Sequence, residues 1–211
     1  MPTEIDDESL ESAIPPWAEG GILPPFRVSP AHRAGGSPYP CTSDALVRRF
    51  LQSPEVDFGG IEQRKSLLSG LLAYRSALRS FGLEGFQWVF GSFLEDVERS
   101  PRSRPPVDVD VIGFVQLPQS GDKRSSVIDL FQDQVFRGLL GKESQKTYGV
   151  ESFVIFQNLY RSDYYIEQCR YWLSLASHQR DTLKWKGLVR LELTSDPTED
   201  ALAARTIEEG G

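Results

Sequence analysis

"FGSFLEDVERSPRSRPPVDVDVIGF", residues 90–114, holds the pattern that decides the fold. An aromatic run, "FQWVF" (86–90), reads as a short strand and breaks at Gly91-Ser92. After a polar, proline-studded loop (94–106), "VDVDVIGFVQL" (107–117) is apolar and β-branched except for its two aspartates, as suits a central strand. Side chains alternate along a strand, so Asp108 and Asp110 share one face while Val107, Val109 and Val111 share the other. Two carboxylates that close repel each other and are costly to desolvate, so they call for a cation. Hard divalent ions such as Mg²⁺ take carboxylate oxygens and are often completed by substrate phosphates. Two such ions serve in-line displacement at phosphorus. Gly91 lets the backbone approach a ligand closely and Ser92 adds a hydroxyl beside exposed N–H groups, which makes the turn a candidate phosphate cradle. Each feature alone has a plainer reading, a solvent-facing Asp pair or an ordinary turn. Their succession along the chain favours a site.

Around this centre the chain alternates helices and short strands. "TSDALVRRFLQS", capped by Thr42 or Ser43, reads as a brief helix. Leu67, Leu71, Tyr74, Leu78 and Phe81 recur at steps of four and three, which predicts a helix over about 61–81 stopped by Gly82. Further helices are expected near 127–140 and 165–177, and further strands at 150–156 and 187–193. The reading is an α/β (α+β) domain over 42–193, a mixed sheet flanked by helices. Residues 1–41 hold eight of the fourteen prolines and are expected to form an extended Pro-rich arm whose first dozen residues are mobile. Residues 194–211 read as an acidic, weakly ordered tail.

Composition narrows the function. The chain has 211 residues, 39% hydrophobic and 25% charged, enough for one real core. A net charge of −7 argues against broad coating of DNA, which needs a basic footprint. Two cysteines, Cys41 and Cys169, and two histidines, His32 and His178, do not furnish a Cys/His zinc cluster. A disulfide between the cysteines and two free thiols both stay open, the thiols being simpler. No stretch approaches the roughly 20 apolar residues of a membrane span, and the acidic start is no signal peptide. The expectation is a cytoplasmic protein with no membrane association.

The succession Phe90-Gly91-Ser92 … Asp108-Val109-Asp110-Val111 resembles the signature of the DNA polymerase β-like nucleotidyltransferase superfamily. "QRKSLLSGLLAYRSALRSFG", "YWLSLASHQRDTLKWKGLVRLEL" and the arm's Leu23-Pro24-Pro25 extend the likeness to an uncharacterised bacterial family of nucleotidyltransferase-like proteins, over about residues 22–193. The resemblance implies a nucleotidyltransferase-type sheet, an NTP held by Gly91 and Ser92, and two Mg²⁺ ions held by Asp108 and Asp110. It also implies a third acid from a later strand, for which Glu151 in "GVESFVIF" is the candidate catalytic and metal-binding residue. The activity implied is transfer of a nucleotidyl group from an NTP to a hydroxyl of a protein, an RNA or a small molecule, with a cognate protein partner in a bacterial toxin–antitoxin or phage-defence setting. The alternative is a degenerate fold that serves as a protein-binding or regulatory module.

Other signals carry a plainer reading beside a sharper one. Arg99, Arg102 and Arg104 read as solvated loop, or else as a basic loop that meets phosphate. Lys184 and Lys186 pose the same choice. His178 reads as a helix-terminal histidine rather than a hydrolase base, because no nucleophile-elbow motif is present. Phe153, Phe156, Tyr160, Tyr164, Tyr165, Tyr171 and Trp172 read as core and interface aromatics.

Overall fold

The computed structural model describes residues 14–27, 36–53, 60–101, 103–117, 123–159 and 161–210, with side chains from 127 in the fifth segment. In chain order these form β1 (Tyr39–Cys41), α1 (Ser43–Val47), α2 (Ile61–Ser80), β2 (Glu84–Phe90), β3 (Val109–Gln116), α3 (Lys123–Gln132), α4 (Gln134–Arg137), α5 (Gly141–Tyr148), β4 (Val150–Phe156), α6 (Ser162–Ala176), β5 (Val189–Leu193) and α7 (Thr198–Glu209). The five strands make one mixed sheet in the order β1-β5-β2-β3-β4. β2 runs antiparallel to both β3 and β5, while β3–β4 and β1–β5 are parallel pairs.

β3 is an interior strand between β2 and β4 and is buried on both sides. Val109, Val111 and Val115 enter the main core with Leu67, Leu71, Tyr74 and Leu78 of α2, all buried. The four-and-three spacing of α2 is thus its packed face, and Gly82, at φ +68°, ends it in the left-handed region that glycine favours. On the opposite face Ile112 and Phe114 join Trp88, Phe90 and Ile155 beneath Tyr165, Cys169, Trp172 and Ala176 of α6. Each aliphatic side chain buried this way contributes about 1.5–3 kcal/mol. Asp110 lies on the α6 side of β3, in register with Ile112 and Phe114.

Four expectations need correction. The strand opens at Val109, not Val107, and the Val107 side chain is 57% exposed, so Asp108 stands at the strand's mouth. The 127–140 helix is two helices, because the Asp133 carboxylate caps the second by accepting from the N–H groups of Val135 and Phe136. Part of the proline-rich segment packs: Ile22 and Leu23 are buried, Trp17 donates its indole N–H to the Leu94 carbonyl at 2.8 Å, and residues 39–41 become edge strand β1. The expected mobile first dozen residues lie outside the described residues, as do His32, Arg102 and Tyr160.

The tail, read as weakly ordered, forms α7 and docks by charge as well as by Ala203 and Ile207. Asp200 accepts from Ser43 Oγ and, at 2.9 and 3.1 Å, from Nε of the buried Arg75, and it pairs with Arg79 at 2.7 Å. Arg75 also donates to Gln87 at 2.6 Å and to the Glu192 carbonyl at 2.8 Å. Acidic composition points to disorder only when no buried cation waits for the acid. α5 had no apolar stripe to reveal it, because its buried contact is polar: Ser144 Oγ donates to the Val150 carbonyl at 2.6 Å and lies 3.0 Å from Ser152 Oγ. Both cysteines are free thiols, Cys41 in the main core and Cys169 on the face of α6 that packs against the other side of the sheet. No helix among the described residues is long and apolar enough to cross a membrane.

Candidate functional site

β2 ends at Phe90, paired with Asp110, and Asp110 in turn pairs with Glu151 on β4. These two registers bring the turn and the acids to one end of the sheet. Gly91 sits at φ +80° directly against the acid: a Cβ built on it would fall 1.8 Å from Asp110 Oδ2. Glycine is therefore required here both by its backbone and by its neighbour. Gly91, Ser92, Asp108, Asp110 and Glu151 all line one cleft of about 820 Å³.

The three acids differ in their partners. Asp108 accepts from Gln145 Nε2, and Glu151 accepts from Lys142 Nζ at 2.6 Å. Lys142 and Gln145 lie three residues apart on α5, so one helix face covers both acids. The Asp110 side chain has no hydrogen-bond partner among the described residues. Burial pushes its carboxyl up to about 7, the charges of Asp108 and Glu151 push the same way, and Lys186 and Arg180 oppose them. Among the described residues no group of three or more His, Cys, Asp or Glu is arranged to hold a metal ion.

Two buried cations fix the turn. Lys186, 4% exposed, donates to the Gly91 carbonyl at 3.2 Å and pairs with the equally buried Glu95, whose second oxygen accepts from Gln179 Nε2 at 2.9 Å. Arg64, fully buried on α2, donates to the carbonyls of Phe93 and Glu95 at 2.8 Å each and holds Glu98 through two nitrogens at 2.7 and 2.9 Å. Three carbonyls of the 91–95 segment are thus committed to these cations, and in a planar trans peptide the following N–H points the opposite way. The Ser92 hydroxyl has no partner among the described residues.

Sequence reasoning grouped Lys186 with Lys184 and overlooked Arg64. Their burial separates the lysines, since Lys184 is exposed. A charge at 64, three residues before Leu67 on an otherwise apolar face, was the available signal for Arg64. Of the loop arginines, Arg99 is an exposed partner of Asp96 at 3.4 Å, whereas Arg104 lines the cleft. His178 does cap its helix, its Nδ1 lying 2.8 Å from the Ser174 carbonyl, and it also lines the cleft beside Arg180. Tyr164 and Tyr171, expected in core or interface, are about half exposed.

No curated protein and no solved structure matches this chain. A family model does match, over residues 15–192, which takes in the cleft and the sheet apart from Leu193, the last residue of β5, and stops before α7. The chain belongs to this family, described as a family of unknown function (DUF6932).

Proposed function

We propose that the protein is a Mg²⁺-dependent nucleotidyltransferase with a nucleotidyltransferase-type sheet. The observation that carries the reading is the meeting of the Gly91-Ser92 turn with Asp108, Asp110 and the register-paired Glu151 in one cleft. Three carboxylates on one cleft, one of them unpartnered, offer oxygen atoms of the kind that suit a hard divalent ion, although they do not stand as a ready-made metal cluster while α5 holds two of them, and a bound cation would relieve the charge that Asp110 resists. Asp108, Asp110 and Glu151 would hold the ions, once Gln145 and Lys142 release the two outer acids. Bound Mg²⁺ supplies charge neutralisation at the phosphates and activation of the attacking oxygen. The Gly91-Ser92 turn, pinned from behind by Lys186 and Arg64, orients the triphosphate, and Lys142, Arg104 and Arg180 offer it cations from the rim. An acceptor hydroxyl attacks the α-phosphorus, the new O–P bond forms as the bond to the β-phosphate oxygen breaks, pyrophosphate leaves, and the hydroxyl proton passes to water.

The test is incubation with Mg²⁺ and each α-³²P-labelled NTP, with cellular RNA and protein as acceptors. Label transfer that disappears in Asp108→Ala and Asp110→Ala supports the reading. Absence of both transfer and nucleotide binding in the unaltered protein sinks it. A second reading, a binding module that has kept the fold without the chemistry, is favoured by one observation: α5 already occupies two of the three acids. Nucleotide binding without transfer to any acceptor would select it.

A further inference from the structure

The acids and the glycine turn line only part of the cleft, and its other part is apolar. Tyr171 and Leu175 stand one helical turn apart on the flank of α6, 54% and 55% exposed, and Leu183, in the segment closed by the His178–Trp185 bridge, lines the same cleft, 75% exposed. Between them and the sheet, Trp172 packs on Phe153 with ring centroids 4.6 Å apart. Tyr171 meets Trp172 at 5.2 Å and 78°, so the two rings form a corner. Large apolar side chains gathered in a concave, charged site are unusual in water and mark a surface that a ligand covers.

Register supplies the scale. Glu151 and Phe153 lie two residues apart on β4, on the same face, hence about 7 Å apart along the strand. In a nucleotide only the ribose separates the 5′-phosphate from the base. A ligand with its α-phosphate among the acids therefore has the length to reach the Phe153–Trp172 end with its base. Charge points to the same kind of occupant. The apolar slot opens directly into a region carrying Arg104 and Arg180, which a phosphate-bearing ligand neutralises and an apolar protein segment leaves bare, while Lys142 there is already paired with Glu151.

We infer that this apolar half of the cleft is a nucleobase pocket, with Tyr171 as its stacking face and Leu175 and Leu183 as its walls. The inference rests on the nucleotide reading of the acid half. Stacking on an aromatic face tolerates any base, so the pocket discriminates nucleotides from bare phosphate more than one base from another.

Calorimetry with Mg²⁺ should compare ATP, GTP, CTP and UTP with inorganic tripolyphosphate, on the unaltered protein, Tyr171→Ser and Leu183→Gln. Both side chains are exposed, so neither change should shift the melting temperature. The expected result is at least one NTP binding about tenfold or more tighter than tripolyphosphate, by the strength of one stacked base. Tyr171→Ser should bring that ratio to within about twofold of unity, and Leu183→Gln should lower it, with tripolyphosphate binding unchanged in both. Equal binding of NTPs and tripolyphosphate in the unaltered protein, or a ratio unmoved by both variants, overturns the pocket while leaving the phosphate site standing. No binding of any of the five overturns the nucleotide reading and the pocket together.

Discussion

Replacing Asp110 with Asn should make the protein more stable, and by an amount that depends on pH. The carboxyl titrates near 7 in the folded protein, raised by burial and by Asp108 and Glu151, against an ordinary value of 3.8. The native state therefore holds a proton that the unfolded chain has already released. Stability from this group is complete below about 3.8, falls as pH rises toward 7, and is level above that. Over an interval of about three pH units, at about 1.4 kcal/mol each, the total is about 4 kcal/mol. Asparagine nearly preserves shape and has no charge to lose. The stability difference between Asp110→Asn and the unaltered protein should thus grow by up to about 4 kcal/mol between pH 4 and 7, then stop growing. For a chain of this size that corresponds to roughly 8–16 °C in melting temperature. Urea or thermal denaturation of both proteins at several pH values reads it directly, and the other carboxylates largely cancel in the difference. Added Mg²⁺ should narrow the gap by stabilising the ionised form. A difference that is flat with pH, or that grows in favour of the unaltered protein as pH rises, would refute the account of Asp110 as a strained, unpartnered acid.

Three further outcomes test the surroundings. Lys186→Met strands the buried Glu95 and frees the Gly91 carbonyl, so it should cost about 3–5 kcal/mol by urea denaturation; a loss near zero would remove Lys186 as the anchor of the turn. Lys142→Ala uncovers Glu151 with little loss of fold, since Lys142 is mostly exposed, and Mg²⁺ affinity measured by calorimetry should rise. Asp200→Asn leaves Arg75 and Arg79 without their acid and should destabilise by about 3–5 kcal/mol at pH 7. Burial opposes the Asp200 charge, yet Arg75, Ser43 and Arg79 together hold its carboxyl below the ordinary value. This contribution is present above about pH 4 and is lost as pH falls through the folded value, so the two proteins should converge in acid.

Much of the architecture was legible in the chain because it rests on periodicity. The α2 stripe, the β4 strand and the alternation around Asp110 each follow from which side chains must leave water. The candidate acids were legible too, since paired carboxylates within an apolar run are costly enough to need a reason. α5 and α7 were not, because contacts that order them are polar ones, which hydrophobic periodicity does not mark, and the one that anchors α7 pairs with a residue far along the chain. Ser144 meets Val150 and Ser152, and Asp200 meets Arg75 across 125 positions.

The sequence by itself determined that a Gly-Ser turn ends one apolar strand and that two aspartates stand at the head of the next, because hydrophobic alternation is written residue by residue. Tertiary structure alone decided that Glu151 stands beside Asp110 and that Lys142 and Gln145 cover the outer acids. It also decided that Lys186 and Arg64, rather than the loop arginines, hold the turn. Each of these depends on strand register and on which cations are buried, and electrostatic partners in a folded chain are chosen by distance in space rather than by spacing in sequence.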